Sequence, residues 1–524
     1  MAGSTLAHRI AAAVRRPLAA ADAGLNRLYG WRGNPLYQSG TIAVAMLLVL
    51  IATGLWLLLF YRVGAPYESV ARLTGNLWTG NWVRGLHRYA SDAALVATAV
   101  HALRMLLQRR SWGPRTLAWI TGVLLTGVML LLGWTGFVMV WDDFGRQLAL
   151  EGARVLDALP VLSEPVSRAF AGDRPVPNAF FFLNLFIHVA LPLLLGLLLW
   201  LHVSRVARAV LLPPRPLLWS IVGVLLLVAV AWPLPMAPAA DPFTLPASVP
   251  ADWFYAFWLP VTRRLDPAVV WAGVAAGTLG MLAVPWLTRP GGRRRPVPSV
   301  VDRQLCTGCE QCVQDCPYDA IRMETRSDGR ETLVARVDPL RCVSCGICSA
   351  SCAPMGVGPV GRTGRDQLAE LRAAMAGRDD WSGQVVVFAC QYGPGTRVSA
   401  LTAEGAWVRQ VDCAGNLHTS AVEYAIRRGA AGVLILSCPP RDCRNREGPV
   451  WLEQRLFHER EAELQARVDR RRLQVACVGG ADEAAALAAL AGLRAAVARL
   501  ERPTVEDEPA LDAVCEPSVP AEGI

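Results

Sequence analysis

Four histidines lie in the apolar half of the chain, in two pairs with the same spacing. They are His87 and His101 in one pair and His188 and His202 in the other, and each interval is fourteen residues. On an α-helix, fourteen steps of 100° end about 40° short of whole turns, so each pair shares one face at levels about 21 Å apart. Imidazoles held in facing pairs could bind iron porphyrins. The alternative is four ordinary histidines in water-filled cavities.

Glycines on two other apolar segments repeat this interval. They are Gly40 and Gly54 on one segment and Gly122 and Gly136 on the other. A glycine lets a helix backbone approach a neighbour or a cofactor closely. The same period on four segments predicts four helices that enclose two cofactor levels.

Long uncharged stretches predict the membrane spans that carry these residues. Five are 40–60, 116–141, 175–201, 216–240 and 267–288, and a sixth, 81–107, is weaker because it contains ionisable residues. About 20 apolar residues cross the hydrocarbon core. Arginine exceeds acidic residues in the segments 1–39, 104–115, 203–215 and 289–295, whereas 142–174 contains six acids and four arginines. The positive-inside rule therefore predicts that both termini are cytoplasmic.

In this topology the second and fourth spans run in the same direction. His87 then faces His188 near the outer membrane surface, and His101 faces His202 near the inner surface. The prediction is two bis-imidazole haem sites stacked across the bilayer.

Eight of the fourteen cysteines form two runs with the pattern C-x2-C-x2-C-x3-C. This is the bacterial two-cluster ferredoxin pattern, in which the fourth cysteine of each run ligates the other cluster. The first [4Fe–4S] cluster would use Cys306, Cys309, Cys312 and Cys352. The second would use Cys342, Cys345, Cys348 and Cys316. Tetrahedral zinc is the alternative, and the third cysteine of each run argues against it.

A second group of cysteines lies within a region of alternating predicted strands and helices that begins near residue 384. Cys390, Cys413 and Cys438 end predicted strands, and Cys443 follows in a short loop. The carboxyl ends of parallel strands form the binding edge of an open sheet, so a further iron–sulfur cluster is expected there. Buried structural cysteines are the alternative, and Cys477, which also ends a strand, is either a ligand or a spectator. Helices are predicted over 418–429, 447–468 and 482–501, with His418 at the surface.

Composition narrows the classes of protein. Hydrophobic residues make up 53% of the 524 residues, and the basic residues behind the formal charge of +9 are all arginine. No arginine-rich tract carries the interleaved aromatics of a nucleic-acid-binding surface, so no nucleic-acid partner is expected. Metal-binding thiols need a reducing compartment, which agrees with a cytoplasmic location for the cysteine-rich half.

Residues 36–288 resemble cytochrome b of the cytochrome bc complexes. Arg84 lies three residues before His87, and Arg104 lies three residues after His101, as do the family's haem-propionate arginines. The resemblance implies two b haems, a quinone substrate, a homodimer, and a Rieske protein or cytochrome c as a further partner.

The same resemblance suggests a proton acceptor. The family's outer quinol-site signature, Pro-Glu-Trp-Tyr, is similar to Ala251-Asp252-Trp253-Phe254 in this chain. In the family the glutamate helps to take a proton from quinol, which implies that role for Asp252. A carboxylate at membrane depth can accept a proton; a solvent-exposed loop aspartate is the alternative.

Residues 385–500 resemble the iron–sulfur delta subunit of methyl-viologen-reducing hydrogenases. The matching pieces are FACQYG (388–393), residues 411–438 and PPRDCRNREG (439–448). That family carries a [2Fe–2S] cluster, which the resemblance assigns to Cys390, Cys413, Cys438 and Cys443. It also links a flavoprotein to another redox module. The chain departs from the family in having one cysteine in the first motif and Arg444 where histidine is usual.

The predicted fold is multidomain: an α-helical membrane bundle with six spans of the di-haem cytochrome b type, an α+β bacterial ferredoxin domain and an α/β parallel-sheet iron–sulfur domain. The segments are a cytoplasmic N-terminal segment (1–37), a four-helix di-haem core (38–210), two further membrane helices with the outer quinol-site loop (211–290), a linker (291–300), the ferredoxin domain (301–358), a connector (359–383), the delta-like domain (384–502) and a disordered tail (503–524).

The predicted function is electron transfer between the quinone pool and a soluble flavoprotein, or a hydrogenase- or heterodisulfide-reductase-like partner. The chain would be a quinone-linked oxidoreductase subunit of a bacterial or archaeal cytoplasmic membrane, with its iron–sulfur domains in the cytoplasm. One alternative is a conduit subunit without its own quinone chemistry. A redox sensor is the other, although no output domain is visible. The direction of electron flow is not encoded in the spacing.

Overall fold

The computed structural model describes residues 2–108, 110–160, 164–170, 176–241, 252–289, 297–377, 380–393, 398–458, 460, 462–480 and 482–500. Most of the predicted linker, all of the predicted tail and Ala251 lie outside these residues. The chain divides into two compact units. The helical unit contains residues 38–204 and 209–289, and the α/β unit contains residues 1–37, 205–208 and 290–524.

Helices account for most of the first 290 residues. Helix α1 (Ala2–Gly33) belongs to the α/β unit. The helical unit then contains α2 (Ser39–Leu58), α3 (Pro66–Gly75), α4 (Asn81–Leu107), α5 (Thr116–Val140), α6 (Asp143–Asp157), α7 (Asn178–Val203), α8 (Arg215–Ala231), α9 (Leu259–Thr262) and α10 (Pro267–Leu287). In the described part of the chain, five helices are long and apolar enough to cross a membrane, namely α2, α4, α5, α7 and α10.

The predicted span over 216–240 is wrong in length. Helix α8 has 17 residues and ends at Ala231. At 1.5 Å per residue it covers about 26 Å, less than the hydrocarbon thickness of about 30 Å. Pro233, Pro235 and Pro238 follow, and proline lacks the N–H that would continue the helix. A sixth crossing therefore stays a prediction.

The core of the helical unit lies between two pairs of helices. Helix α2 packs against α4, and α5 packs against α7. Small side chains of α4, Ala90, Ala94 and Ala97, are buried against Ile42 and Met46 of α2. Small residues let helices approach closely, as is typical of membrane bundles. Large apolar side chains on the outer faces are exposed, including Leu55, Leu193 and Leu279, which fits an integral membrane unit.

The α/β unit contains two small antiparallel sheets and one parallel sheet. Its strands are β1 (Ser299–Val301), β2 (Ile321–Glu324), β3 (Val334–Val337), β4 (Val357–Pro359), β5 (Val385–Cys390), β6 (Trp407–Val411), β7 (Gly432–Ser437) and β8 (Leu473–Cys477). Its further helices are α11 (Gln311–Gln314), α12 (Ile347–Ser351), α13 (Gly364–Met375), α14 (Val398–Ala403), α15 (Thr419–Arg427), α16 (Gly448–Phe457) and α17 (Glu483–Val497). Strand β1 pairs with β4 and β2 with β3, both antiparallel.

The last four strands form a parallel sheet in the order β6-β5-β7-β8. This confirms the predicted parallel α/β layer. Strands β5 and β7 are buried on both faces, as the continuous apolar runs of parallel strands require. The predicted helix over 447–468 is too long: α16 ends at Phe457, and the following chain folds back so that the Leu464 N–H donates to the Arg455 carbonyl.

Candidate cofactor sites

The helical unit brings the four predicted histidines together in two facing pairs. The ring centres of His101 and His202 are 6.4 Å apart. Two metal–nitrogen bonds of about 2 Å, each continued by about 1.1 Å to its ring centre, span nearly this distance. His87 and His188 lie against Gly54 and Gly136, at the other level of these helices. The pairing of His101 with His202 is the one that parallel second and fourth spans predict.

Each predicted glycine lies against one of these imidazoles. A Cβ atom on Gly40 would be 2.9 Å from Nδ1 of His101, and one on Gly54 would be 3.3 Å from Cε1 of His87. Across the bundle, a Cβ on Gly122 would be 3.4 Å from Cε1 of His202, and one on Gly136 would be 3.2 Å from Cε1 of His188. Distances below about 3.4 Å leave little room for a side chain. The glycines therefore make space for the rings that they face.

Three threonines fix the orientation of the histidine rings. Thr53 Oγ1 lies 2.8 Å from His87 Nδ1 and donates its own proton to the Val49 carbonyl at 2.7 Å. With that proton committed, the hydroxyl oxygen accepts the Nδ1–H. Thr135 faces His188 Nδ1 at 2.8 Å, and Thr121 faces His202 Nδ1 at 3.1 Å.

A histidine that donates from Nδ1 presents the lone pair of Nε2 for metal binding. This donor arrangement, together with the glycine clearances, fits a haem held by two imidazoles at each level. Haem iron bound in this way supplies one-electron chemistry.

The threonines are functional residues that the sequence reasoning missed. The signal is present, because a hydroxyl residue precedes each of the four glycines: Ser39, Thr53, Thr121 and Thr135. All four are buried in the helical unit. A repeated hydroxyl-glycine dipeptide at the same interval would have identified them.

The two predicted propionate arginines occupy different surroundings. Arg84 donates to the carbonyl oxygens of Leu234 and Pro235, at 2.9 and 3.4 Å. Arg104 is 2% exposed in the last turn of α4. Each shares a helix face with its neighbouring histidine, because residues three apart are adjacent on a helix. Their contact with propionates stays a prediction.

Asp252 is not an exposed loop residue, since its side chain is only 12% exposed. Its Oδ1 accepts the backbone N–H groups of Phe254, Tyr255 and Ala256, at 3.0, 2.6 and 3.1 Å. Its Oδ2 accepts from Arg88 at 2.5 Å. Both carboxylate oxygens are therefore engaged, and the carboxylate holds the loop while it pairs with Arg88.

A second carboxylate shares this arginine. Arg88 also pairs with Asp92, one turn further along α4. The guanidinium lies over the rings of Phe137 and Tyr255, at 5.0 and 5.6 Å. The result is two carboxylates bridged by one cation beside aromatic rings. The sequence analysis did not single out Asp92 as a candidate.

Two cavities in the α/β unit are lined by the two predicted sets of cluster ligands. The first is lined by Cys306, Cys309, Cys312 and Cys352. The second is lined by Cys316, Cys342, Cys345 and Cys348. In each cavity three cysteines come from one run and the fourth comes from the other, as predicted. We call the centres that these cavities fit cluster one and cluster two.

The third cysteine of each run favours clusters over zinc, and each cavity is lined by four cysteines. Burial raises the pKa of the Cys348 thiol to about 12 and that of Cys345 well above its usual value. Because a metal binds the thiolate form of cysteine, metal binding must supply the free energy needed to deprotonate these thiols.

Four further cysteines converge at the carboxyl edge of the parallel sheet. The Cys438 thiol contacts Cys390 Sγ at 3.5 Å. A Cβ on Gly448 would lie 2.7 Å from Cys413 Sγ and 3.4 Å from Cys443 Sγ. All four are buried. This donor set fits an iron–sulfur cluster at the predicted edge.

Cys477 lies at the same edge but makes a different contact. Its sulfur is 3.5 Å from the Ser437 hydroxyl.

The prediction of a surface position for His418 is wrong. It begins α15 as expected, and its Nδ1 accepts the Ser420 N–H at 3.1 Å. However, it is 3% exposed, and its Nε2 donates to the Cys352 carbonyl at 3.2 Å. The ring faces the predicted ferredoxin domain, a long-range contact that local sequence does not reveal. Burial lowers its pKa to about 4, so the ring is neutral.

Three segments of the chain match known families. Residues 32–210 match the family Cytochrome b/b6/petB, and residues 305–356 match the 4Fe-4S dicluster domain. Residues 385–501 match the family Methyl-viologen-reducing hydrogenase, delta subunit. The three predicted resemblances are confirmed.

Two curated relatives are cytochrome b subunits of menaquinol:cytochrome c reductases. The protein from Geobacillus thermodenitrificans is 29% identical over 170 residues, which cover 31% of this chain and 75% of that protein. The protein from Bacillus subtilis (strain 168) is 30% identical over 146 residues, covering 28% of this chain and 65% of that protein. A solved structure titled "Hyperthermophilic respiratory Complex III" matches 50% of this chain and 78% of its own chain, with 19% identity and a TM-score of 0.39.

Proposed function

We propose that this chain is a quinone-linked oxidoreductase subunit that carries electrons between membrane quinone and a soluble cytoplasmic redox partner. The observation that carries the proposal is the arrangement of four imidazoles in two facing pairs, three of them with Nδ1 at a threonine hydroxyl. The cytochrome b match over residues 32–210 and the names of the two curated relatives support quinol-linked electron transfer.

The finer assignment follows from the donor sets. His87 and His188 would hold the outer haem b, and His101 and His202 would hold the inner one. The two cavities would hold two [4Fe–4S] clusters, and the edge of the parallel sheet would hold a [2Fe–2S] cluster. A soluble flavoprotein, or a hydrogenase- or heterodisulfide-reductase-like protein, would exchange electrons with the sheet edge. The delta-subunit match over residues 385–501 supports that partner class.

The quinone chemistry is proposed for the outer carboxylate pair. Asp252 and Asp92 share Arg88, so the three groups carry a net charge of −1. A proton taken by either carboxylate would leave a neutral pair between Arg88 and the other one. A proton acceptor of this kind contributes about 10²- to 10⁴-fold to a rate. We expect Asp252→Asn and Asp92→Asn each to reduce quinone turnover at least tenfold while the haem spectrum is retained.

Asp266→Asn is the matched control, because Asp266 is an exposed helix cap at the start of α10. Normal quinone turnover in both Asp252→Asn and Asp92→Asn would favour the conduit alternative. In that case the chain carries electrons for a quinone site on another subunit.

A further inference from the structure

A buried arginine lies between two of the predicted cluster sites in the α/β unit. Arg455, on α16, is 1% exposed. Its Nη2 donates to the Gly415 carbonyl at 2.7 Å, two residues after Cys413. Its Nη1 donates to the Ile347 carbonyl at 3.3 Å, one residue before Cys348. One guanidinium therefore joins the backbone beside a predicted [2Fe–2S] ligand to the backbone beside a cluster-two ligand.

The helix that carries Arg455 also touches the [2Fe–2S] thiols directly. Its first residue, Gly448, packs on Cys413 Sγ and Cys443 Sγ so closely that a Cβ would be 2.7 and 3.4 Å away. Gly448 and Arg455 are seven residues apart, which is about two helical turns, so they lie on nearly the same face. Opposite this face, a Cβ on Gly346, next to Cys345, would be 3.0 Å from Asn416. The backbone beside the cluster-two cysteines therefore packs against the side chain of Asn416, three residues after Cys413.

The charge of Arg455 persists in this position. Burial lowers its pKa to about 10, so it remains protonated at neutral pH. Its hydrogen bonds in the described part of the chain go to carbonyl oxygens and to the Ser351 hydroxyl. Asp315 lies beyond that hydroxyl, accepting from it at 2.7 Å and from Arg460 at 2.6 Å. A buried charge without a carboxylate in direct contact is costly, so a role beyond packing is expected.

We propose that Arg455 is a positioning residue that raises the reduction potentials of cluster two and of the centre held by Cys390, Cys413, Cys438 and Cys443. The proposal rests on the proposed function, because it requires both centres. A fixed positive charge stabilises the reduced, more negative state of a neighbouring centre. One electron leaves one centre as it enters the other, without proton transfer or bond change, and the soluble partner and quinone are the terminal donor and acceptor.

The test is an EPR-monitored redox titration of the full-length chain and two charge variants. Arg455→Gln should lower the equilibrium constant for reduction of both centres about tenfold, which corresponds to about 59 mV for one electron. Asp315→Asn should shift cluster two in the opposite direction, because it removes a buried negative charge next to Cys316. Opposite signs cannot result from general loosening of the site.

Two control variants test whether the effect depends on the charge of Arg455 and on its position. Arg455→Lys keeps the charge and should leave both equilibrium constants within about threefold of the parent. Arg326→Gln removes an arginine that contacts the Cys306 carbonyl of cluster one at 2.9 Å and pairs with Asp328, and it should not affect the other two centres. If Arg455→Gln fails to assemble its clusters, Arg455→Met replaces it and should lower both equilibrium constants by a similar factor, because an apolar side chain is often tolerated in place of a buried charge.

Unchanged potentials in Arg455→Gln and Asp315→Asn with clusters intact, or shifts of the same sign, would overturn this role for Arg455. Different results would contradict the cofactor assignment and the role of Arg455. A parent protein that shows no [2Fe–2S] signal contradicts the cofactor assignment itself. Normal parent signals with unaltered potentials in the variants contradict only the role of Arg455.

Discussion

The two units hold their predicted cofactors in different ways. In the helical unit the core consists of other side chains, such as Met46, Ala94 and Val128, and the histidines stand beside it. In the predicted ferredoxin domain the ligands are the core, because Cys312, Cys316 and Cys348 are among its buried residues. A bundle with its own core can keep its fold without a cofactor. A small domain centred on metal ligands depends on the metal for folding.

The largest effect is expected from a cluster ligand. Cys345→Ser should abolish cluster two and unfold much of the ferredoxin domain, because structural metal sites contribute on the order of 10 kcal/mol to folding. Iron content and limited proteolysis of the purified protein would measure this. Cys477→Ser is the control, since Cys477 contacts Ser437 outside the converging set. If Cys345→Ser resists protease as well as the parent protein does, the ferredoxin domain does not depend on its metal for folding, and the proposed difference between the two units is wrong.

A haem ligand should have a smaller effect on folding. His101→Ala should reduce the haem content from two per chain to one while the helical unit stays folded, because its apolar core is unchanged. Haem content per polypeptide and the thermal melting curve would show this. His458→Ala, at an exposed histidine, should change neither. Aggregation of His101→Ala would mean that the bundle also depends on its cofactor.

Two glycines of the helical unit, one beside a predicted haem ligand and one in open space, give a further test. Gly40→Ala places a Cβ 2.9 Å from the His101 ring, so the ring must move, at a cost of about 1–3 kcal/mol. We expect a perturbed inner-haem spectrum and reduced haem occupancy. Gly127→Ala adds the same methyl group where nothing lies within 4 Å and should be neutral. Equal behaviour of the two variants would show that the glycine interval has no relation to the cofactors.

The smallest effect is expected from a ring-orienting hydroxyl. Thr135→Val removes the acceptor for His188 Nδ1–H, a hydrogen bond worth about 1 kcal/mol. The outer haem should remain bound, with a reduction potential raised by about 40 mV because the imidazole becomes a weaker donor. Optical redox titration measures the shift. Thr126→Val, which removes only a bond to the Gly122 carbonyl, should leave the potential unchanged, and a fall in potential in Thr135→Val would contradict the assigned direction.

The spacing of histidines and cysteines along the sequence was enough to predict the ligand sets of the haem and cluster sites. The fourteen-residue interval indicated two cofactor levels, the direction of the spans indicated which histidines face each other, and the cysteine runs indicated which ligands line each cavity. Contacts between distant segments were not predictable in this way. The burial of His418 against the Cys352 carbonyl, the bridge by Arg455 and the sharing of Arg88 by Asp92 and Asp252 depend on how whole elements pack. The shorter length of α8 could have been predicted from the three prolines that follow it, Pro233, Pro235 and Pro238.

The most direct test of the central claim is a redox-titrated optical spectrum of the purified full-length protein, combined with its haem content. We expect a reduced-minus-oxidised spectrum of b-type haem with two haems per chain, one of which is lost in His101→Ala or His202→Ala and the other in His87→Ala or His188→Ala. A protein without b-type absorption, or one whose haem content is unaffected by these four substitutions, would contradict it.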